Sequence, residues 1–129
     1  MFLHKNKLGI FWTLLILTVC LMPGDNLPGS SFLSFIGADK LIHTTLYLVL
    51  MVLVGRGLAT YFSSSYSRSR IIVIAFLYCL FLGIGIELVQ SVFVAGRSGD
   101  FFDVLANITG ASIGIVIVIA QLKRKTGKT

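Results

Sequence analysis

Acidic side chains are scarce in this sequence. Five Asp and Glu stand against 11 Lys and Arg in 129 residues, and charged residues of both signs make up only 12% of the chain. With 56% hydrophobic residues and a mean hydropathy of +0.93, this scarcity excludes an ordinary soluble domain, about a quarter of which is charged. Cysteine is scarce too. Cys20 and Cys79 are the two present, too few for a disulfide scaffold. They lie in different apolar runs, roughly 10 Å apart in depth at 1.5 Å per residue, and are read as small apolar packers. No A-x-A cleavage site follows the first apolar run, Val19 stands where a lipoprotein signal needs a small residue before Cys20, and there is no HExxH metal motif. The formal net charge of +6 does not mark a nucleic-acid binder, because the bases lie in short flanks beside long apolar runs.

Those runs are what the chain does have. They predict an all-α membrane protein: a single domain over residues 1–129 with four transmembrane helices at approximately 6–22, 39–62, 71–95 and 100–121, forming a small antiparallel bundle. The first run has the basic start and apolar centre of a secretion signal, but without a cleavage site it is read as a retained span. PGDNLPGSS at 23–31 and FLSFIGA at 32–38 form a breaker-rich connection with an apolar patch too short to cross a bilayer. It is expected along the membrane surface, with Phe32 and Phe35 in the interface. Arg56 is expected to snorkel to the headgroups, and SSSYSRSR at 63–70 reads as a flexible exposed loop.

Orientation follows from the bases. Lys5, Lys7, Arg56, Arg68, Arg70, Lys123, Arg124, Lys125 and Lys128 fall on one side of a four-span arrangement, leaving Lys40 and Arg97 on the other. The positive-inside rule makes the first side cytoplasmic and places both termini there, in a multi-pass protein of the cytoplasmic (inner) membrane. Asp25, Asp39, Glu87, Asp100 and Asp103 then gather toward the extracytoplasmic face.

The most informative stretch is ELVQSVFVAGRSGDFFDVLAN, residues 87–107. Glu87 lies within the third apolar run, where an ionisable group is costly and marks a functional site by default. Asp100, Asp103 and Asn107 recur at i, i+3 and i+7 on one helix face. That face continues as Ala106, Gly110 and Gly114, and the GxxxG at 110 and 114 allows close helix approach. Because a short turn joins the last two runs, they are expected to form a hairpin packed through Gly83 and this stripe. The same GxxxG is also suited to self-association or a partner helix.

Asp39, His43 and Tyr47 share a face of the second helix at i, i+4 and i+8. They bring an acid, an imidazole and a phenol to the depth of Glu87 and Asp103. Simpler readings exist for each residue: Asp39 and Asp100 as N-caps, Asp103 as a helix-dipole partner, Lys40 and Arg97 as interface anchors, Gln90 as interhelical glue. They do not account for Glu87, Gln90 and Asn107 together. Glu87, being buried, must be neutral or paired, with His43 or Arg97 as the available partners.

DKLIH at 39–43, ELVQ at 87–90 and GRSGDFFDVLANITGASIG at 96–114 resemble the hallmark blocks of the VanZ-like family of small bacterial membrane proteins. The family is named for an accessory of glycopeptide (teicoplanin) resistance, so the resemblance implies a cell-envelope setting. Mapped residue by residue, it marks Asp39, Lys40, His43, Glu87, Gln90, Arg97, Ser98, Asp103 and Asn107.

Three functions compete. The first is an enzyme acting in the outer leaflet on a lipid or lipid-linked envelope precursor. Its chemistry would rest on Asp39, His43, Glu87 and Asp103, with His43 as acid or base, and Lys40, Gln90, Arg97, Ser98, Asp100 and Asn107 would bind substrate. No cofactor is evident, and one imidazole among carboxylates suits Mg²⁺ or Mn²⁺ better than a thiolate-bound metal. The second is a non-catalytic binding or transport role for a cation or cationic headgroup, which the excess of outer acids favours. The third is a helix-packing partner module.

Overall fold

A computed structural model describes residues 2–22, 38–62, 66–94 and 99–126. Among them no strand forms. The helices are α1 (Phe2–Lys5), α2 (Lys7–Leu21), α3 (Ala38–Tyr61), α4 (Arg68–Phe93) and α5 (Phe101–Thr126). Three are long and apolar enough to cross a membrane: Ala38–Tyr61, Arg68–Phe93 and Phe101–Arg124, with mean hydropathies of 1.7, 2.6 and 2.0. The first expected span is shorter than these. Its 15-residue helix α2 is separated from α1 at Asn6, whose side-chain oxygen sits where a Cβ on Gly57 would stand. The surface segment expected at 23–37, with Phe32 and Phe35, lies outside the described residues.

The exposed loop expected at 63–70 ends sooner than its composition implied, because the Ser67 hydroxyl accepts a hydrogen bond from the Arg70 N–H at 3.4 Å and starts α4 at Arg68. The helices then present an inverted surface. Phe81, Val92, Phe93, Phe101 and Val116 are exposed, as a lipid-facing bundle requires. Hydroxyls on the helices are silenced locally: Thr13, Thr18, Thr45, Thr60, Thr109 and Ser112 each donate to the carbonyl four residues earlier.

The main seam joins α3 to α5, and these two helices run parallel. Lys40 meets Asp103, Thr44 meets Ala106 and His43 meets Asn107, at sequence separations of 63, 62 and 64. Further along, a Cβ on Gly55 would lie 3.0 Å from Val118 Cγ2. The small-residue stripe forms this seam. A Cβ on Gly110 would strike the Thr44 carbonyl oxygen, and one on Gly114 would come within 2.7 Å of Met51 Cβ. This corrects the expected pairing of the stripe with α4. A turn brings two helices together at one end, whereas small residues decide which neighbour approaches along the whole length. Gly83 of α4 instead faces Asn107 and Tyr47.

Helix α2 is tied across the bundle by two side-chain bonds to backbone carbonyls. The Trp12 indole donates to Leu46 O at 2.9 Å, and the Gln90 amide donates to Cys20 O at 2.6 Å. Cys20 and Cys79 are both buried and form no disulfide. Ile16, Tyr47, Leu50, Met51, Cys79 and Val118 form the fully buried interior.

Candidate functional site

The parallel register of α3 and α5 places their N-terminal ends side by side, and the C-terminal end of α4 reaches the same level. Asp100 starts α5: its carboxylate Oδ1 accepts from Phe102 N–H at 2.8 Å, the local turn that Asp favours at a helix start. Its own N–H donates to Glu87 Oε2 at 3.0 Å. Glu87 is therefore paired with a backbone amide; of the two partners expected from the sequence, His43 and Arg97, Arg97 lies outside the described residues. The second oxygen of Glu87, Oε1, is buried without a hydrogen-bond partner among the described residues.

Lys40, one turn into α3, gathers the acids of α5. Its ammonium donates to Asp103 Oδ1 at 2.7 Å and Asp100 Oδ2 at 2.9 Å, and lies 3.8 Å from Asp39 Oδ2. Lys40 thereby holds the Asp100 carboxyl below the usual carboxylate range, helped by the Phe102 N–H.

His43 is 4% exposed. Its Nδ1 is 3.0 Å from Asn107 Oδ1. With that carbonyl oxygen facing the ring, Nδ1–H donates to it, and Nε2 is the nitrogen left toward the carboxylates. Nε2 in turn stands 3.8 Å from Asp39 Oδ1 and 3.7 Å from Asp103 Oδ2, beyond hydrogen-bond length from both. Asp39, His43 and Asp103 each offer one ligand atom, all within 4.8 Å of one another, so they are the residues able to hold a metal ion. Asp103 is largely covered, whereas Asp39 is half exposed at the mouth.

Of the residues singled out in the sequence, Asp39, Lys40, His43, Asp100, Asp103 and Asn107 converge by direct contacts, and Glu87 joins them through the Asp100 backbone. Gln90 does not. It is buried with its amide committed to the Cys20 carbonyl, one of the last carbonyls of α2, which have no partner within their own helix. Arg97 and Ser98 lie outside the described residues. Tyr47 was placed on the right face by its i+8 spacing but not counted with the site. It is 1% exposed, its hydroxyl has no hydrogen-bond partner, and that hydroxyl and Asn107 Nδ2 both border Gly83. The cleft between α4 and α5 below Asn107 encloses only about 10 Å³, room for about one water.

The chain is 32% identical over 127 residues to a Schizosaccharomyces pombe protein described as uncharacterized protein C11E3.10, covering 98% of this chain and 70% of that one. No solved structure matches it. Residues 4–123 match the family described as VanZ/LLP1, and the chain belongs to that family.

Proposed function

We propose that this chain is a multi-pass membrane enzyme acting on the headgroup of a lipid or lipid-linked envelope component at the extracytoplasmic face. The carrying observation is the gap between His43 Nε2, Asp39 Oδ1 and Asp103 Oδ2, at 3.8 and 3.7 Å. Two carboxylate oxygens drawn up to one ring nitrogen form a gap that favours a positive centre. A positive centre beside the headgroups can polarise the oxygen atoms of a lipid. His43, Asp39 and Asp103 bound that centre, Lys40 and Asn107 hold their orientation, and Glu87 is a positioning residue that anchors the start of α5. Arg97 and Ser98 belong to the same sequence block and complete the proposed binding set with Asp100.

In this reading α2 is the fourth span, both termini are cytoplasmic, and the protein sits in the cytoplasmic membrane of a bacterial cell. A relative in Schizosaccharomyces pombe supports a lipid found in many membranes over a precursor confined to bacterial walls. A role in glycopeptide (teicoplanin) resistance would then follow from altered membrane lipid. The partner-module reading has less support, because Gly110 and Gly114 are already covered by α3.

One second reading has an observation behind it. Asp25, Asp39, Glu87, Asp100 and Asp103, the acids expected on the outer side, outnumber Lys40 and Arg97, which suits binding of a cationic headgroup without chemistry. Lipid analysis of cells carrying the wild type, His43→Ala or no protein separates the two. The enzyme reading expects a lipid species that accumulates equally in the last two strains and is converted by purified wild type. Identical lipid profiles in all three would overturn it.

A further inference from the structure

We propose that Asp39, His43 and Asp103 form a binding site for one divalent metal ion of the Mn²⁺ class. The proposal rests on the site reading given above and names the positive centre that reading requires.

The acids alone would not make a site. The independent observation is His43: 4% exposed, with Nε2 making no hydrogen bond among the described residues and lying 3.8 and 3.7 Å from two carboxylate oxygens. Its other ring nitrogen is taken by Asn107 Oδ1 at 3.0 Å. This is how ligating histidines are usually held, one nitrogen to the metal and the other N–H to a carbonyl or carboxylate.

The carboxylates divide their oxygens in the same way. Asp103 gives Oδ1 to the Lys40 ammonium at 2.7 Å and turns Oδ2 toward His43. Asp39 keeps Oδ2 on the Lys40 side, at 3.8 Å, and turns Oδ1 toward His43. Lys40 therefore occupies the outer oxygens and leaves one inner oxygen from each acid. The two His43–carboxylate distances of 3.7 and 3.8 Å, with all three donors within 4.8 Å of one another, need to contract to roughly 3–4 Å around an ion with bonds of about 2.1 Å.

Charge points the same way. Among the described residues, Asp39, Asp100 and Asp103 surround one ammonium, Lys40, a surplus of acids that a divalent ion offsets. Two carboxylate oxygens and one imidazole, with no thiolate, favour an oxygen-preferring ion such as Mn²⁺ over soft metals. The half-exposed Asp39 gives the ion a way in.

The test is Mn²⁺ titration of the full-length protein purified in detergent, followed by electron paramagnetic resonance and by thermal unfolding. The wild type is expected to take up one Mn²⁺ per chain and to unfold at a higher temperature when loaded. Asp39→Asn, at the exposed edge where folding is least at risk, is expected to lose that uptake. Asn107→Ala is expected to weaken it roughly 10- to 100-fold, the usual cost of removing an orienting partner. Absence of stoichiometric uptake by the wild type, or uptake unchanged in both Asp39→Asn and His43→Ala, overturns the metal site. If His43→Ala still abolishes lipid conversion while the wild type binds no Mn²⁺, the metal site is overturned and the functional reading stands. If Mn²⁺ binds as expected while the lipid profiles are identical, the metal site stands and the enzyme reading fails.

Discussion

Glu87 on α4 accepts a hydrogen bond from the backbone N–H of Asp100, 13 residues later, at 3.0 Å. This bond fastens the last turns of one helix to the first residue before the next. Gly99 makes the approach possible: a Cβ there would lie 2.9 Å from the Glu87 carbonyl oxygen. The acid that looked most like a buried catalytic group in the sequence is thus also the anchor of the segment that delivers Asp100 and Asp103.

Two substitutions separate these roles. Glu87→Gln keeps an oxygen that can accept from the Asp100 N–H, and it is expected to change stability by less than about 1 kcal/mol. Lipid conversion should be retained. Glu87→Ala leaves that amide without its acceptor and is expected to cost about 1–3 kcal/mol. Thermal unfolding in detergent measures both. Loss of conversion in Glu87→Gln at wild-type abundance would assign the carboxylate a direct chemical part.

Glycine substitutions test the α3–α5 seam. Gly110→Ala would press a methyl group into the Thr44 carbonyl and against Leu48 N, with Gly114→Ala doing the same to Met51. Each is expected to cost about 1–3 kcal/mol, as overpacking does, and Gly110→Leu to prevent accumulation. Gly85→Ala is the control, because a Cβ there meets nothing within 4 Å. Equal detergent stability of Gly85→Ala and Gly110→Ala would refute the seam.

The three long spans were legible because hydropathy and length are properties of consecutive residues. The expected run at 39–62 became Ala38–Tyr61, and that at 100–121 became the start of Phe101–Thr126. Partner choice was not legible. The spacing of Ala106, Gly110 and Gly114 shows which face is small but does not say whether α3 or α4 lies on it. The bond from the Asp100 N–H to Glu87 was not legible for a related reason: a backbone amide has no signature in sequence. Gln90 stood one turn from Glu87 and shared a motif with it, yet its amide is directed to the Cys20 carbonyl near the end of α2, 70 residues away. Asp39, His43, Asp103 and Asn107 were placed on two faces by periodicity, and the register of α3 and α5 turns those faces together; Lys40, off that spacing, was marked by the family resemblance.

Gln90 accordingly separates packing from chemistry. Gln90→Leu removes the bond to Cys20 O at 2.6 Å and is expected to lower stability by about 1 kcal/mol. Lipid conversion per folded molecule should be unchanged. A variant of normal stability that has lost conversion would return Gln90 to the binding residues.

The Lys40–Asp100 pair sets a pH dependence whose sign can be worked out. Lys40 holds the Asp100 carboxyl below its usual value, with the Phe102 N–H acting in the same direction. Unfolded, the carboxyl returns to about 3.9. In that range the unfolded chain binds the proton more readily than the folded one, so acid favours unfolding. The stabilisation is fully present above pH of about 4 and is lost as pH falls through the lower folded value. Because Asp100 is 41% exposed, solvent screens the pair and the effect is small. Thermal unfolding in detergent from about pH 6 to about pH 3 should therefore show a steeper acid decline for wild type than for Asp100→Asn, the two curves converging at the acid end. Parallel curves across that range would mean that the Lys40–Asp100 contact contributes nothing to holding α3 and α5 in register.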